Sequence, residues 1–501
     1  MRESTDDSPT DDGTLSPGEL KHRAASGVFI VATRGVVIMA LGLIGNVVVA
    51  RVLAPDDFGV VAIGMSVVFF SQLISDGGLA AGLIRRAEPP TSAELGAFSA
   101  FQLSVTGVVA VTAVAVALVC PFGEVGWVTA VMVASMPFVA LQFPGRILLE
   151  RDLRYRRLAA VELLQSLCFQ AWAVGTVVAG FGVWGLATAT VVRAVVGAIA
   201  MGFACREGLV RPRFSMHLIR PLVGFGLRFQ AVNAAWIVGE QSLNVSVGVI
   251  GGSAALGLWV LGRRVLEVPY LLITTLWRVS FPTMSKLTAA KAEVGPLMER
   301  SVGMAAVGIG FVLTGIAGGA PGLIPGLFGQ QWRDTSAILP GACLAVAISG
   351  SVSVATQGYL YAVGDVSAVL RAEITQWLTL SLVALPLLRA IGVASIGVGW
   401  FVAAVLQSTV LGRATTRRVP TRFLRPLLPP ILVGLCSSSF GWAITVKAGE
   451  DLTGGAAGAA SAVAIFAAGL AVVDRRLLEE TSRIARYAMR AALPRGARAS
   501  A

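Results

Sequence analysis

Apolar stretches of about twenty residues recur along almost the whole of this chain, from Val28 to Val473, and this limits what it can fold into. A helix needs roughly that length to cross the hydrocarbon core of a bilayer. The expected fold is an all-α integral membrane protein with about 14 transmembrane helices. The expected spans are 28–50, 58–84, 95–119, 125–145, 158–180, 183–204 and 222–248, then 254–282, 301–325, 336–363, 372–388, 391–411, 427–446 and 454–473. Composition agrees: 55% of residues are hydrophobic and only 14% charged, against about 25% charged in soluble proteins. No room remains for a large soluble domain. The 57 glycines suit close helix contacts in lipid.

The ends of the chain and the loops set its orientation. Residues 1–20 are acidic and polar (Glu3, Asp6, Asp7, Asp11, Asp12, Glu19), unlike the basic start of a cleavable signal. Residues 1–27 are expected to form a disordered cytoplasmic tail. Of the 40 lysines and arginines, 30 lie at the two ends or in loops after even-numbered spans. Only 4 (Arg51, Arg333, Arg389, Lys447) lie in the other loops, and 6 lie within spans. Basic loops stay in the cytoplasm, so both termini are expected there, with the protein multi-pass in the plasma membrane. Residues 474–501 are read as a basic amphipathic tail. Leu477, Leu478, Ile484, Ala488 and Ala491 fall near one helical face, which suits an interfacial helix on anionic lipid. A solvated basic tail is the plainer alternative.

Several function classes are disfavoured. The charge of +12 is spread in short clusters between spans, which points to lipid headgroups and not to nucleic acid. Five scattered cysteines without a CxxC pair, and only two histidines (His22, His217), indicate neither a metal site nor a disulfide framework. No Walker-type phosphate loop occurs, so ATP hydrolysis is not expected, and the sequence points to no cofactor and no catalytic residues. Asp56-Asp57 could mark a membrane glycosyltransferase or polymerase, but Pro55-Asp56-Asp57 reads better as a turn opening a helix.

A shift of 198 positions lays Asn46, Val47, Val49, Gly59 and Gly64 over Asn244, Val245, Val247, Gly257 and Gly262. The asparagine match is informative, because the chain has only three. The expected plan is two six-helix lobes, 28–221 and 222–426, followed by a helix pair over 427–473. The run Asn46-Val-Val-Val-Ala-Arg-Val-Leu-Ala-Pro-Asp-Asp-Phe-Gly-Val-Val-Ala62 resembles the first hairpin of the polysaccharide transporter family. Leu149-Glu-Arg-Asp-Leu-Arg-Tyr-Arg-Arg-Leu-Ala159 and Phe281-Pro-Thr-Met-Ser-Lys-Leu287 are similar to that family's signatures at the matching places. These are the Wzx-type O-antigen and exopolysaccharide flippases of the multidrug/oligosaccharidyl-lipid/polysaccharide superfamily. The resemblance implies export of polyprenyl-pyrophosphate-linked oligosaccharide by alternating access, without enzymatic chemistry. As partners it implies the lipid-linked substrate, membrane lipids, a polysaccharide polymerase and glycosyltransferases.

A charge inside a span is costly and tends to face a cavity or a partner. Arg34 and Arg228 lie about two turns into their spans and are related by the repeat to within one helical turn. Both are candidates for binding a pyrophosphate through the guanidinium fork, with snorkelling as the alternative. Arg263, Arg264 and Glu267 lie deeper, just before Pro269, an expected kink. Glu267 can pair with either arginine, leaving one free for substrate. Arg193 and Glu162 are expected to pair. Glu240, Glu267 and Asp76 are the candidate coupling or ion-pair carboxylates. A cation-coupled drug antiporter of the same superfamily is the alternative function.

Overall fold

The computed structural model describes residues 17–76, 78–80, 83, 88–290 and 292–492, with the side chains of 17–32, 221–229, 278–279 and 484–492 left out. Every regular element among the described residues is helical. They are α1 (Pro17–Val52), α2 (Pro55–Asp76), α3 (Ser92–Val119), α4 (Gly123–Ala134), α5 (Met136–Ala140), α6 (Phe143–Arg151), α7 (Tyr155–Thr176) and α8 (Val183–Ala204). Then follow α9 (Met216–Val265), α10 (Glu267–Ala289), α11 (Gly295–Phe328), α12 (Leu339–Ala362), α13 (Val366–Ile391), α14 (Ala394–Thr416), α15 (Leu424–Ala448), α16 (Leu452–Val473) and α17 (Arg475–Ala492). Among the described residues, 13 helices are long and apolar enough to cross a membrane.

The differences from the sequence reading have local causes. The eighth expected span, 254–282, is divided. Its first part continues α9 past Gly252, whose φ of 83° breaks the helical path, and the rest is α10 beyond Leu266. The interruption just before Pro269 is the expected kink. Span 125–145 is split into α4 and α5 and runs into α6, because Pro137 and Pro144 lack an N–H and occupy first-turn positions of new helices. The disordered tail expected over 1–27 is helical from Pro17. Proline costs nothing at a helix start, and Glu19-Leu20-Lys21 are good helix formers. Residues 1–16 lie outside the described set. The C-terminal stretch is helical, as α17.

The chain divides into two compact units. The first comprises Met1–Val49 and Ser71–Gln230, and the second Ala50–Phe70 and Ala231–Ala501. In the first, Leu79, Leu95, Phe98, Ile147 and Ile219 form a buried core, with Phe98 edge-on to Phe143 at 6.3 Å. Thr91 and Glu94 close a capping box on α3, satisfying donors that a helix start leaves free. Helix α1 lies against α7, where Gly45 leaves room for Gln170. A Cβ at Gly45 would stand 2.0 Å from its Oε1.

In the second unit, a glycine seam packs α11 on α16. A Cβ at Gly319, Gly322 or Gly326 would stand 2.4–2.7 Å from backbone of Asp451, Leu452 or Gly455. The start of α2 crosses the part of α9 beyond Gly252 just as closely. A Cβ at Gly59 would lie 1.9 Å from the Ser253 carbonyl oxygen, and one at Gly257 would lie 1.9 Å from that of Pro55. The 198-residue shift relates Pro55 to Ser253 and Gly59 to Gly257, so the two halves of the contact repeat each other. Ser253 Oγ donates to Asp56 Oδ1 at 2.5 Å, and the Ala54 N–H donates to Asp57 Oδ2 at 2.9 Å. Asp56-Asp57 is thus a helix start with partners. The Ala50 carbonyl, near the end of α1, accepts from Trp332 Nε1 at 2.8 Å and Gln331 Nε2 at 3.0 Å.

Gly257→Ala should therefore be destabilising by about 1–3 kcal/mol, the range for overpacking a close contact. Gly107→Ala and Gly175→Ala, with nothing within 4 Å of an added Cβ, should be neutral or slightly stabilising. The check is the midpoint of thermal unfolding of detergent-solubilised protein. An unshifted midpoint for Gly257→Ala would contradict this crossing.

Candidate functional site

Charges held inside the apolar helices form one cluster in each unit. In the first unit, Arg34 of α1 makes a close ion pair with Glu162 of α7 through Nη1. Arg146 of α6 approaches the other oxygen of Glu162 at 3.8 Å and pairs with Glu150 at 2.8 Å. The Arg34 Nε–H is buried and has no hydrogen-bond partner. Asp76, at the end of α2, accepts from Gln230 Nε2 at 3.0 Å. The expected Arg193–Glu162 pair is not formed. Glu162 is engaged by Arg34 and Arg146, while Arg193 lies over the Phe169 ring at 5.9 Å. Arg146 was missed as a site residue because the sequence placed it in a loop, whereas α6 carries it. The side chain of Arg228 lies outside the described residues.

In the second unit, Arg263 near the end of α9 pairs with Glu240 at 3.5 Å and lies over the Tyr270 ring at 4.8 Å. Arg264 pairs with Glu267, three residues on, at 4.0 Å. This corrects the expectation of one uncompensated arginine. Glu240, on an earlier stretch of the same long helix, supplies the second carboxylate, a contact that no i,i+3 or i,i+4 rule could reveal. Glu373 of α13 is a further carboxylate, near Tyr270 and with no arginine paired to it among the described residues. It accepts from Gln407 Nε2 of α14 at 3.3 Å and also bonds Gln357 of α12. Glu240 and Glu267 thus match the two guanidinium groups one to one, in place of the expected positive excess. Glutamines isolated in apolar helices were the missed sequence signal, since a buried polar side chain needs a partner.

The supports of this cluster lie outside the spans. Asp365 caps α13 through the Ala368 N–H at 3.1 Å, accepts from Ser367 Oγ at 2.8 Å and binds Arg418 at 2.7 Å. The Ser367 hydroxyl, then the Ala368 N–H and the Arg418 charge, hold its carboxyl below the usual range. This fixes the corner between α12 and α13 and hence the placing of Tyr361 and Glu373. No group of three metal-ligating side chains occurs among the described residues.

An all-helical chain with this many apolar helices, carrying ion pairs between them, is a multi-pass membrane protein. It belongs to the polysaccharide biosynthesis protein family, whose profile matches residues 48–337. It is 25% identical over 345 residues to the lipopolysaccharide biosynthesis protein WzxC of Escherichia coli K12, covering 65% of this chain and 67% of that one. It is 24% identical over 293 residues to the succinoglycan biosynthesis transport protein ExoT of Rhizobium meliloti 1021, covering 57% of this chain and 58% of that one. The fold resembles that of a solved structure of the lipid II flippase MurJ, described as an inward closed conformation, with TM-score 0.67, 12% identity, and 90% and 99% of the two chains covered. An inward-facing multidrug resistance MATE transporter of the MOP superfamily matches with TM-score 0.56 and 16% identity, over 76% of this chain and 95% of the other.

The two arginine pairs differ in burial, which gives a test. The Arg263 and Glu240 side chains are 20% and 12% exposed, against 39% and 50% for Arg264 and Glu267. Arg263→Leu, which strands a buried carboxylate, should cost about 3–5 kcal/mol, and Arg263→Leu with Glu240→Leu should recover much of it. Arg264→Leu should cost about 1 kcal/mol or less in stability. Unfolding midpoints in detergent decide it, and equal losses for Arg263→Leu and Arg264→Leu would refute the pairing.

Proposed function

We propose that this protein is a flippase that moves polyprenyl-pyrophosphate-linked oligosaccharide from the inner to the outer leaflet of the cytoplasmic membrane by alternating access, with both termini in the cytoplasm. The observation that carries the reading is membership of the polysaccharide biosynthesis family on an export-type helical fold. The named relatives are a lipopolysaccharide biosynthesis protein and a succinoglycan biosynthesis transport protein. Glycosyltransferases would supply the substrate and a polymerase would take it up. Nothing in the clusters calls for covalent chemistry.

Arg34 is the best-placed pyrophosphate ligand. Its guanidinium already rests on a carboxylate, and its buried Nε–H is unsatisfied. A phosphate oxygen would answer that donor, and the planar fork accepts two oxygens at once. Glu162 then holds the arginine in place between substrates. Arg264, with Glu267 beside it, is less suited to that role than the sequence suggested. A cation antiporter remains the second reading, because Glu373 has no arginine paired to it among the described residues.

Arg34→Ala should lower glycan export at least tenfold in a strain lacking its own flippase, normalised to inserted protein, and Arg34→Lys should be intermediate. Undiminished export by Arg34→Ala at normal abundance would remove Arg34 from the path. Orientation has its own check. Cysteines placed near Arg154, Arg211 and Arg418, on a cysteine-free background, should resist impermeant reagents added outside cells. Labelling at all three would invert the topology.

A further inference from the structure

We infer that the corner of the second unit formed by α10, α12, α13 and α14 is a carbohydrate-binding subsite, taking the sugar part of the lipid-linked substrate. The inference rests on the flippase reading above. Trp277 and Phe281 of α10 stack face to face, with ring centroids 5.4 Å apart and planes 8° apart. Tyr361 of α12 stands edge-on to Phe281 at 6.4 Å and feels the charge of Glu373. Beside them lie the Glu373 carboxylate and the amides of Gln357 and Gln407. The buried Trp277 Nε1–H and the buried Ser280 hydroxyl have no hydrogen-bond partner.

A sugar ring has a face of C–H groups and a rim of hydroxyls. It stacks on an aromatic surface while its hydroxyls both donate and accept. Here carboxylate oxygens accept, amides do both, and the indole N–H and serine hydroxyl donate. Buried donors left unsatisfied are costly, so their presence points to a ligand that accepts from them.

An interfacial aromatic belt and a cation cage both fit these groups less well. In the belt at a membrane boundary, an indole N–H reaches water or headgroups. The Trp277 N–H is buried. The helical face that carries Trp277, Ser280 and Phe281 continues to Met284, which is 1% exposed and packed in the core with Tyr359, Ala368 and Ala372. That face is therefore turned inward. An aromatic cage with a carboxylate could hold a cation, but a cation accepts no hydrogen bond and would leave both donors unanswered. A phosphate would be repelled by the Glu373 carboxylate beside Tyr361. A neutral polyol with an apolar face suits all of these groups.

The test uses the full chain in zwitterionic nanodiscs and native mass spectrometry. The probes are bare polyprenyl pyrophosphate and the same lipid carrying a single glucose, galactose or mannose. At least one sugar-bearing probe should bind about tenfold more tightly than the bare lipid, the scale of one stacking contact with its hydrogen bonds. Trp277→Leu should erase that gain while leaving bare-lipid affinity within about twofold. Trp277→Phe, which keeps the ring but not the N–H, should retain part of it and guards against misfolding of the first variant. A sugar gain that survives in both variants, or equal loss of both kinds of probe, would overturn the subsite. So would displacement of sugar-bearing lipid by tetraphenylphosphonium, which would mark a cation cage. If no sugar outbinds bare lipid, the subsite falls and the flippase stands. If wild-type protein binds neither, both readings fall.

Discussion

Hydrocarbon offers no hydrogen-bonding partner, and the rest of this structure follows from that constraint. Each backbone N–H and C=O inside the bilayer must be satisfied within the protein, which makes helices the local solution. Where a helix stops, a side chain takes over. The Ala50 carbonyl near the end of α1 is met by Trp332 and Gln331, and Asp57 and Asp451 close the starts of α2 and α16. The same rule governs charge. Arg34, Glu240, Arg263 and Arg264 each have an opposite charge in reach.

Helices in lipid gain little from burying apolar surface against one another, so close packing has to hold them. That is the physical meaning of the glycines. At Gly59 and Gly257 two helices touch carbonyl to Cα, in a contact whose two halves are related by the internal repeat. On α11 and α16 glycines align over several turns.

On the proposed reading, the clusters would divide the chemistry of a two-part substrate. A guanidinium with an unanswered Nε–H in the first unit suits an anion, and an aromatic and amide corner in the second suits a hydroxyl-rich ring. Proline and glycine breaks set the positions. The interruption at Leu266 starts α10, which carries both Tyr270 and Trp277, and the Pro144 break starts α6, which carries Arg146.

The all-helical membrane fold, the run of spans, the repeat at Gly59 and Gly257 and the family resemblance were legible in the sequence. Hydropathy and local matches depend on neighbours in the chain, and these features are local or periodic. Arg34, Glu240 and Arg263 could be marked as intramembrane charges for the same reason. Their partners could not. Arg34 meets Glu162 across 128 positions, and Glu373 meets Gln407 across 34. Spacing left a free arginine beside Glu267, because it can count only partners one helical turn away, and the neighbouring spans alone suggested Arg193 for Glu162. Which charges pair depends on how whole helices cross, and only the tertiary structure decides that.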